Sequence, residues 1–126
     1  MPPTVLSQAV TLPWDPEDLR QASIGPAGRK VVAKAVAAVA PDWSVQLSQD
    51  CIDEINLVIR PSYGGDEYGP TFVIYEELDE FIVDQVRWDV CTEIGAYPDL
   101  AEATWAMVLH LVPCARALPM PSRLLH

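Results

Sequence analysis

Lysine is nearly missing from this 126-residue chain. Lys30 and Lys34 are the only two, against 18 acidic residues and a formal net charge of −10. That imbalance excludes nucleic acid and anionic membranes as direct partners, because neutralisation of phosphate by Lys and Arg dominates affinity for both. Histidine is limited to His110 and His126, so a base titrating near neutral pH is scarce. The three cysteines, Cys51, Cys91 and Cys114, are odd in number and far apart. They do not form a disulfide framework, and reduced thiols in the cytoplasm are the expectation. The six glycines make no G-x-G-x-x-G, and no Walker lysine follows them. The longest apolar stretch, Val31–Ala40, is broken by Lys34 and falls far short of a membrane span. The N-terminus has no basic segment and no apolar run of signal-peptide length.

What is present suits one globular domain over residues 1–126. Half of the residues are hydrophobic and 21% are charged. Proline is plentiful at 12, and half of it lies at the two ends. Residues 1–13 and 113–126 therefore read as irregular, although Leu118, Met120, Leu124 and Leu125 suit a tail that docks. Abundant Ala and Val with little Lys points to a GC-rich bacterial or phage genome.

Local patterns order the chain. Asp15-Pro16-Glu17-Asp18 opens a short helix with a cap, a first-position proline and two acids at the positive dipole end. Gly25-Pro26 interrupts it. A second helix runs from Pro26 to about Ala40, with Val32, Val36, Val39 and Ala35 on its apolar side, until Pro41 stops it. Trp43, Val45 and Leu47 then alternate with polar residues, as do Ile55, Leu57 and Ile59, which predicts two strands joined through Ser48-Gln49-Asp50. Residues 61–70, with three glycines and a proline at each end, predict a loop before a strand over Thr71–Tyr75.

Leu78, Phe81, Ile82, Val86, Val90 and Ile94 keep helical spacing, which predicts a third helix over 78–94 stopped by Gly95. The alternative is a hairpin, since Phe81-Ile82-Val83 and Val86-Arg87-Trp88 have β-character. Pro98-Asp99 opens a fourth helix to about Val112, with a stripe of Leu100, Ala103, Met107, Val108 and Leu111 thickened by Trp105 and Leu109. Pro113 is read as its end. The expected fold is α+β: a three-stranded antiparallel meander packed against about four helices in two layers.

Charge is concentrated. Fifteen of the acids lie between Asp42 and Glu102, where only Arg60 and Arg87 are basic, giving −13 for that span. Helix starts and polar strand faces explain part of this excess. The remainder gathers in Asp66-Glu67, between Tyr63 and Tyr68, and in Glu76, Glu77, Asp79, Glu80 and Asp84. These nine residues are the candidate partner-binding set: acids steer a basic partner and tyrosines supply contact area at low entropy cost. An ordinary loop and a solvated helix start are the bland readings of the same residues.

No cofactor or metal is expected. His110, Cys114, Cys51 and Cys91 together have the composition of a Cys₃His zinc set, but no C-x-x-C spacing supports it. Cys114 with His110 is weak as a nucleophile pair, and no spacing selects two carboxylates for acid–base work. The expected function is a non-enzymatic, cytoplasmic inhibitor that presents an acidic face to a basic protein, as a toxin-immunity or phage anti-defence protein mimicking nucleic acid. The alternatives are an assembly subunit or chaperone using apolar surface, and a small carboxylate- or metal-dependent enzyme. The cluster Arg29, Lys30 and Lys34 can also meet the acidic surface of a second copy, which gives a homodimer.

Overall fold

Among the described residues the chain forms five strands, each antiparallel to the next, where three were expected. The computed structural model describes residues 19–20, 22–49, 55–62, 71–87 and 90–117. The elements in order are α1 (Pro26–Val39), β1 (Trp43–Gln49), β2 (Ile55–Pro61), β3 (Thr71–Glu77), β4 (Glu80–Arg87), β5 (Val90–Tyr97) and α2 (Leu100–Ala117). The sheet has the order β1-β2-β3-β4-β5, a simple meander. The class remains α+β. The expectation of three strands and four helices is corrected to five strands and, among the described residues, two full helices. The proposed start at Asp15-Pro16 lies outside the described residues, and only Leu19 and Arg20 of that region are seen as helical.

The largest correction concerns 78–94, which is β4 and most of β5 rather than a helix. The two β-like triplets in it do not face each other as a hairpin. Phe81–Val83 and Val86–Arg87 both belong to β4, which pairs with β3 on one side and β5 on the other. The helical spacing misleads because β4 is apolar on both faces. Phe81 and Val83 enter the core, and Ile82, on the opposite face, is only 6% exposed. A strand buried on both sides loses its alternation of two. The β-branched side chains of Ile82, Val83, Val86, Val90 and Ile94 decide the conformation instead, with their cross-strand packing.

Leu78 and Asp79, expected in the first turn of that helix, form the two-residue loop between β3 and β4, and Glu77 pairs with Glu80 across it. Both loop residues have positive φ, 52° and 65°, as a type I′ turn demands. Asp tolerates this region. Leu does so at a cost, and its side chain is 90% exposed at the tip. Gly95 is likewise no helix stop. It lies in β5 beneath the Tyr97 ring, whose hydroxyl oxygen would stand 2.5 Å from an added Cβ.

The two helices cover one face of the sheet. Val32, Ala35 and Val36 of α1 and Leu100, Ala103, Met107, Val108 and Leu111 of α2 share a single core with Trp43, Val45, Leu57, Ile59, Phe72, Ile74, Phe81 and Val83. Trp43 and Phe72 meet with ring centroids 6.1 Å apart. Pro26 stands at the start of α1, and Arg29 N–H donates to the Gly25 carbonyl at 2.8 Å. Asp99 caps α2, its Oδ1 accepting from the Glu102 N–H at 2.9 Å.

Pro113 does not end α2, so the irregular tail expected from 113 begins no earlier than 118; residues 118–126 and 1–13 lie outside the described set. Pro113 removes one backbone bond, to the Leu109 carbonyl. Leu109 is on the solvent side, where water can satisfy that carbonyl. Trp105 and Leu109, expected to widen the apolar stripe, are exposed.

Two local costs can be measured. The Thr104 hydroxyl is fully buried and has no hydrogen-bond partner among the described residues. Thr104→Val removes that orphan while keeping the shape, and urea denaturation is expected to show a gain of about 1 kcal/mol. Leu78→Asn puts a residue that accepts the left-handed region at the hairpin tip, and the same measurement is expected to show a gain of roughly 1 kcal/mol.

Candidate functional site

Strand parity divides the acids between two environments. Because Val83 points into the core, its neighbours Ile82 and Asp84 point to the opposite face, which carries no helix among the described residues. Register then builds this face rank by rank. Val73, Asp84 and Glu93 stand in line across β3, β4 and β5. Tyr75, Ile82 and Ala96 form the next rank, and Glu77 opposes Glu80 beyond it. On the other side of Asp84, Val86 is paired with Cys91. A β-bulge makes this possible. Val83 pairs with Gly95 and Asp84 with Glu93, so Ile94 is the extra residue, and it packs against the core. Without the bulge, β5 would present Ile94 to this face in place of Glu93.

Asp84 is the centre of the arrangement and is only 9% exposed. Tyr75 and Cys91 each stand one diagonal step from Asp84 across the ladder, close enough for its charge to act on both. Directly opposed like charges such as Asp84 and Glu93 have Cβ atoms about 4.5–5.5 Å apart and oppose folding. None of Glu76, Glu77, Asp79, Glu80, Asp84 and Glu93 forms an ion pair among the described residues. The negative field is registered by its neighbours. Burial first, then the charge of Asp84 and its hydrogen bond, push the Tyr75 phenol from 10.0 up to about 12, with Glu77 and Glu93 adding to the effect. Burial first, then Asp84, also pushes the Cys91 thiol up.

The nine expected residues are distributed as follows. Glu76, Glu77, Asp79 and Glu80 are all exposed around the β3–β4 tip, with the apolar side chain of Leu78 among them. Asp84 is set back from the tip, on the helix-free face. Tyr63, Asp66, Glu67 and Tyr68 lie outside the described residues. Their segment is anchored at Ser62 and Thr71, and Thr71 lies at the opposite end of β3 from the tip, about 20 Å away along the strand. Tyr75, Cys91 and Glu93 were missed as members of the site. Their signal was the alternation of Val73-Ile74-Tyr75 and of Cys91-Thr92-Glu93, which a helix over 78–94 conceals.

The residues weighed as a nucleophile pair or zinc set are placed as follows. Cys91 lies on the helix-free face, whereas Cys114 lies in α2 and receives a 3.9 Å contact from Gln85 Nε2. Burial pushes the Cys114 thiol up, an effect Arg87 partly offsets. A thiol pushed up is a poorer source of thiolate at neutral pH. His110 is exposed, and its Nδ1 lies 3.0 Å from the Ala106 carbonyl of its own helix. Cys51 is outside the described residues, and among those described no three His, Cys, Asp or Glu side chains come together to hold a metal ion. No helix among the described residues is long and apolar enough to cross a membrane.

The basic cluster divides too. Arg29 Nη1 donates to the Val45 carbonyl of β1 at 3.3 Å, while Lys30 and Lys34 are exposed on α1.

Protonated Tyr75 is the form the fold holds. A phenol raised from 10.0 to about 12 contributes stability that is complete below pH 10 and is lost as pH rises through 12. Ultraviolet titration of the folded protein should show one tyrosinate appearing near that upper value, and Tyr75→Phe should abolish that step. The pH 10–12 decline in melting temperature should become shallower in the same variant.

Comparison with family models, curated proteins and solved structures finds no match to this chain.

Proposed function

We propose that this protein is a non-enzymatic interaction protein whose helix-free acidic face binds a basic protein surface. The observation that carries this reading is the Asp84–Glu93 pair. Two carboxylates are held directly opposite one another on paired strands, with no ion-pair partner among the described residues, and like charges so placed oppose folding at a cost in stability. A partner's guanidinium or ammonium group placed between them turns that cost into a favourable contact. Glu77 and Glu80 repeat the motif one end further along. Carboxylates on this face would then stand where phosphates sit in a groove built for nucleic acid. The sharper form is therefore a small inhibitor, of the immunity or anti-defence kind, acting by competition. Long-range attraction steers the encounter and makes its rate sensitive to salt.

The second reading is an assembly subunit, and it has its own observation. Trp105 and Leu109 are exposed one turn apart on α2, on the opposite side of the molecule from the acids.

A partner retrieved from bacterial lysate separates the two. On the acidic reading its affinity should fall at least about tenfold between roughly 50 mM and 0.5 M salt, and Glu77→Lys with Glu80→Lys and Glu93→Lys should abolish binding. Binding indifferent to salt and to those reversals, but lost in Trp105→Ala with Leu109→Ala, would replace the first reading with the second.

A further inference from the structure

The two edges of the sheet are not alike. At the β1 edge, α1 packs against the strand and Arg29 occupies the Val45 carbonyl. β5 is the other edge, and among the described residues its only strand neighbour is β4. Along Val90, Cys91, Thr92 and Glu93 every residue is exposed, Val90 by 63%. Sheets protect an open edge with Lys, Pro or very short strands. β5 has eight residues and contains neither Lys, Arg nor Pro. Its one irregularity, the bulge at Ile94, falls after the open run and leaves Val90–Glu93 in regular register with Arg87–Asp84.

The two sides of this edge differ in charge. On the helix-free side stand Glu93 and, behind it, Asp84. On the helix side lies a cavity of about 330 Å³ lined by Gln85, Arg87, Val90 and Thr92. A strand laid along β5 alternates its side chains between these two environments. Lys or Arg fits the first and is repelled by Arg87 in the second, where an uncharged apolar side chain fits beside Val90.

We propose that the basic partner binds by adding an extended segment to the β5 edge, with alternating basic and apolar residues, basic toward Glu93 and apolar into the cavity beside Val90. This mode rests on the acidic-face reading above and specifies how the partner engages it. Main-chain hydrogen bonds to Val90–Glu93 supply affinity, and the two-sided alternation supplies register.

The test uses three acetylated, amidated hexapeptides with the full-length protein: alternating Lys-Val, alternating Glu-Val, and Lys-Val with N-methyl groups on alternate amides. Binding of the Lys-Val peptide should shift the amide resonances of Val90–Glu93 and slow their hydrogen exchange. The Glu-Val peptide should leave them unmoved. N-methylation should weaken binding by about tenfold, the equivalent of one to two net hydrogen bonds. Val90→Lys, at a position exposed enough to leave the fold intact, should weaken the Lys-Val peptide comparably.

Equal binding of the N-methylated peptide, or shifts confined to the Glu77–Glu80 tip, would overturn edge addition while leaving the acidic-face reading in place. Failure of the Lys-Val peptide to bind would also overturn it. The acidic-face reading fails separately, if charge reversal leaves the retrieved partner bound.

Discussion

The register between β3 and β4 is the constraint on which the rest of the molecule depends. Seven consecutive pairs from Thr71–Val86 to Glu77–Glu80 put Phe72, Ile74, Phe81 and Val83 against the helices. The same pairs put Tyr75, Ile82 and Asp84 on the other face. A slip of one residue would exchange the two sets, burying Asp84 in the core and exposing Phe81 and Val83 to water. The two-residue turn at Leu78–Asp79 pins that register. A leucine in left-handed conformation at its tip shows that the pairing of the flanking strands outweighs local preference.

Core and acidic face are therefore products of one alternation. Each apolar side chain that α1 and α2 cover obliges its neighbour in the strand to face the opposite way. On β4 those neighbours are Ile82 and Asp84, and the bulge of β5 adds Glu93 beside the latter. Backbone pairing of β4 with β5 fixes Asp84 and Glu93 opposite one another. Burial first, and then the charge of Asp84, favours the protonated forms of Tyr75 and Cys91 beside it.

Helix α1, strands β1, β2 and β3 and the apolar stripe of α2 were legible in the residues, because each buries one side only and keeps a clean period. Val32 with Val36, Trp43 with Val45, Leu57 with Ile59 and Leu100 with Met107 are all in the core as their spacing implies. Residues 78–94 were not legible. Phe81-Ile82-Val83 is buried on both faces, and its turn has neither glycine nor asparagine to announce it. Pro113 also misled, because a proline on the solvent side of a helix can be tolerated without ending it. Of the candidate site, the acids Glu76, Glu77, Asp79, Glu80 and Asp84 were visible as a charge excess, but not Tyr75, Cys91 and Glu93, which join them only through strand pairing.

The sequence by itself determined the class of the protein, the strong negative charge and the segment in which that charge gathers, since composition and short-range periodicity are local properties. Tertiary structure alone decided that Asp84 faces away from the core, that Glu93 stands opposite it, and that β5 is left as an edge among the described strands. Those outcomes depend on which strands become neighbours and in what register. That choice is made by burying both faces of β4 at once, an energy that no local stretch of the chain contains.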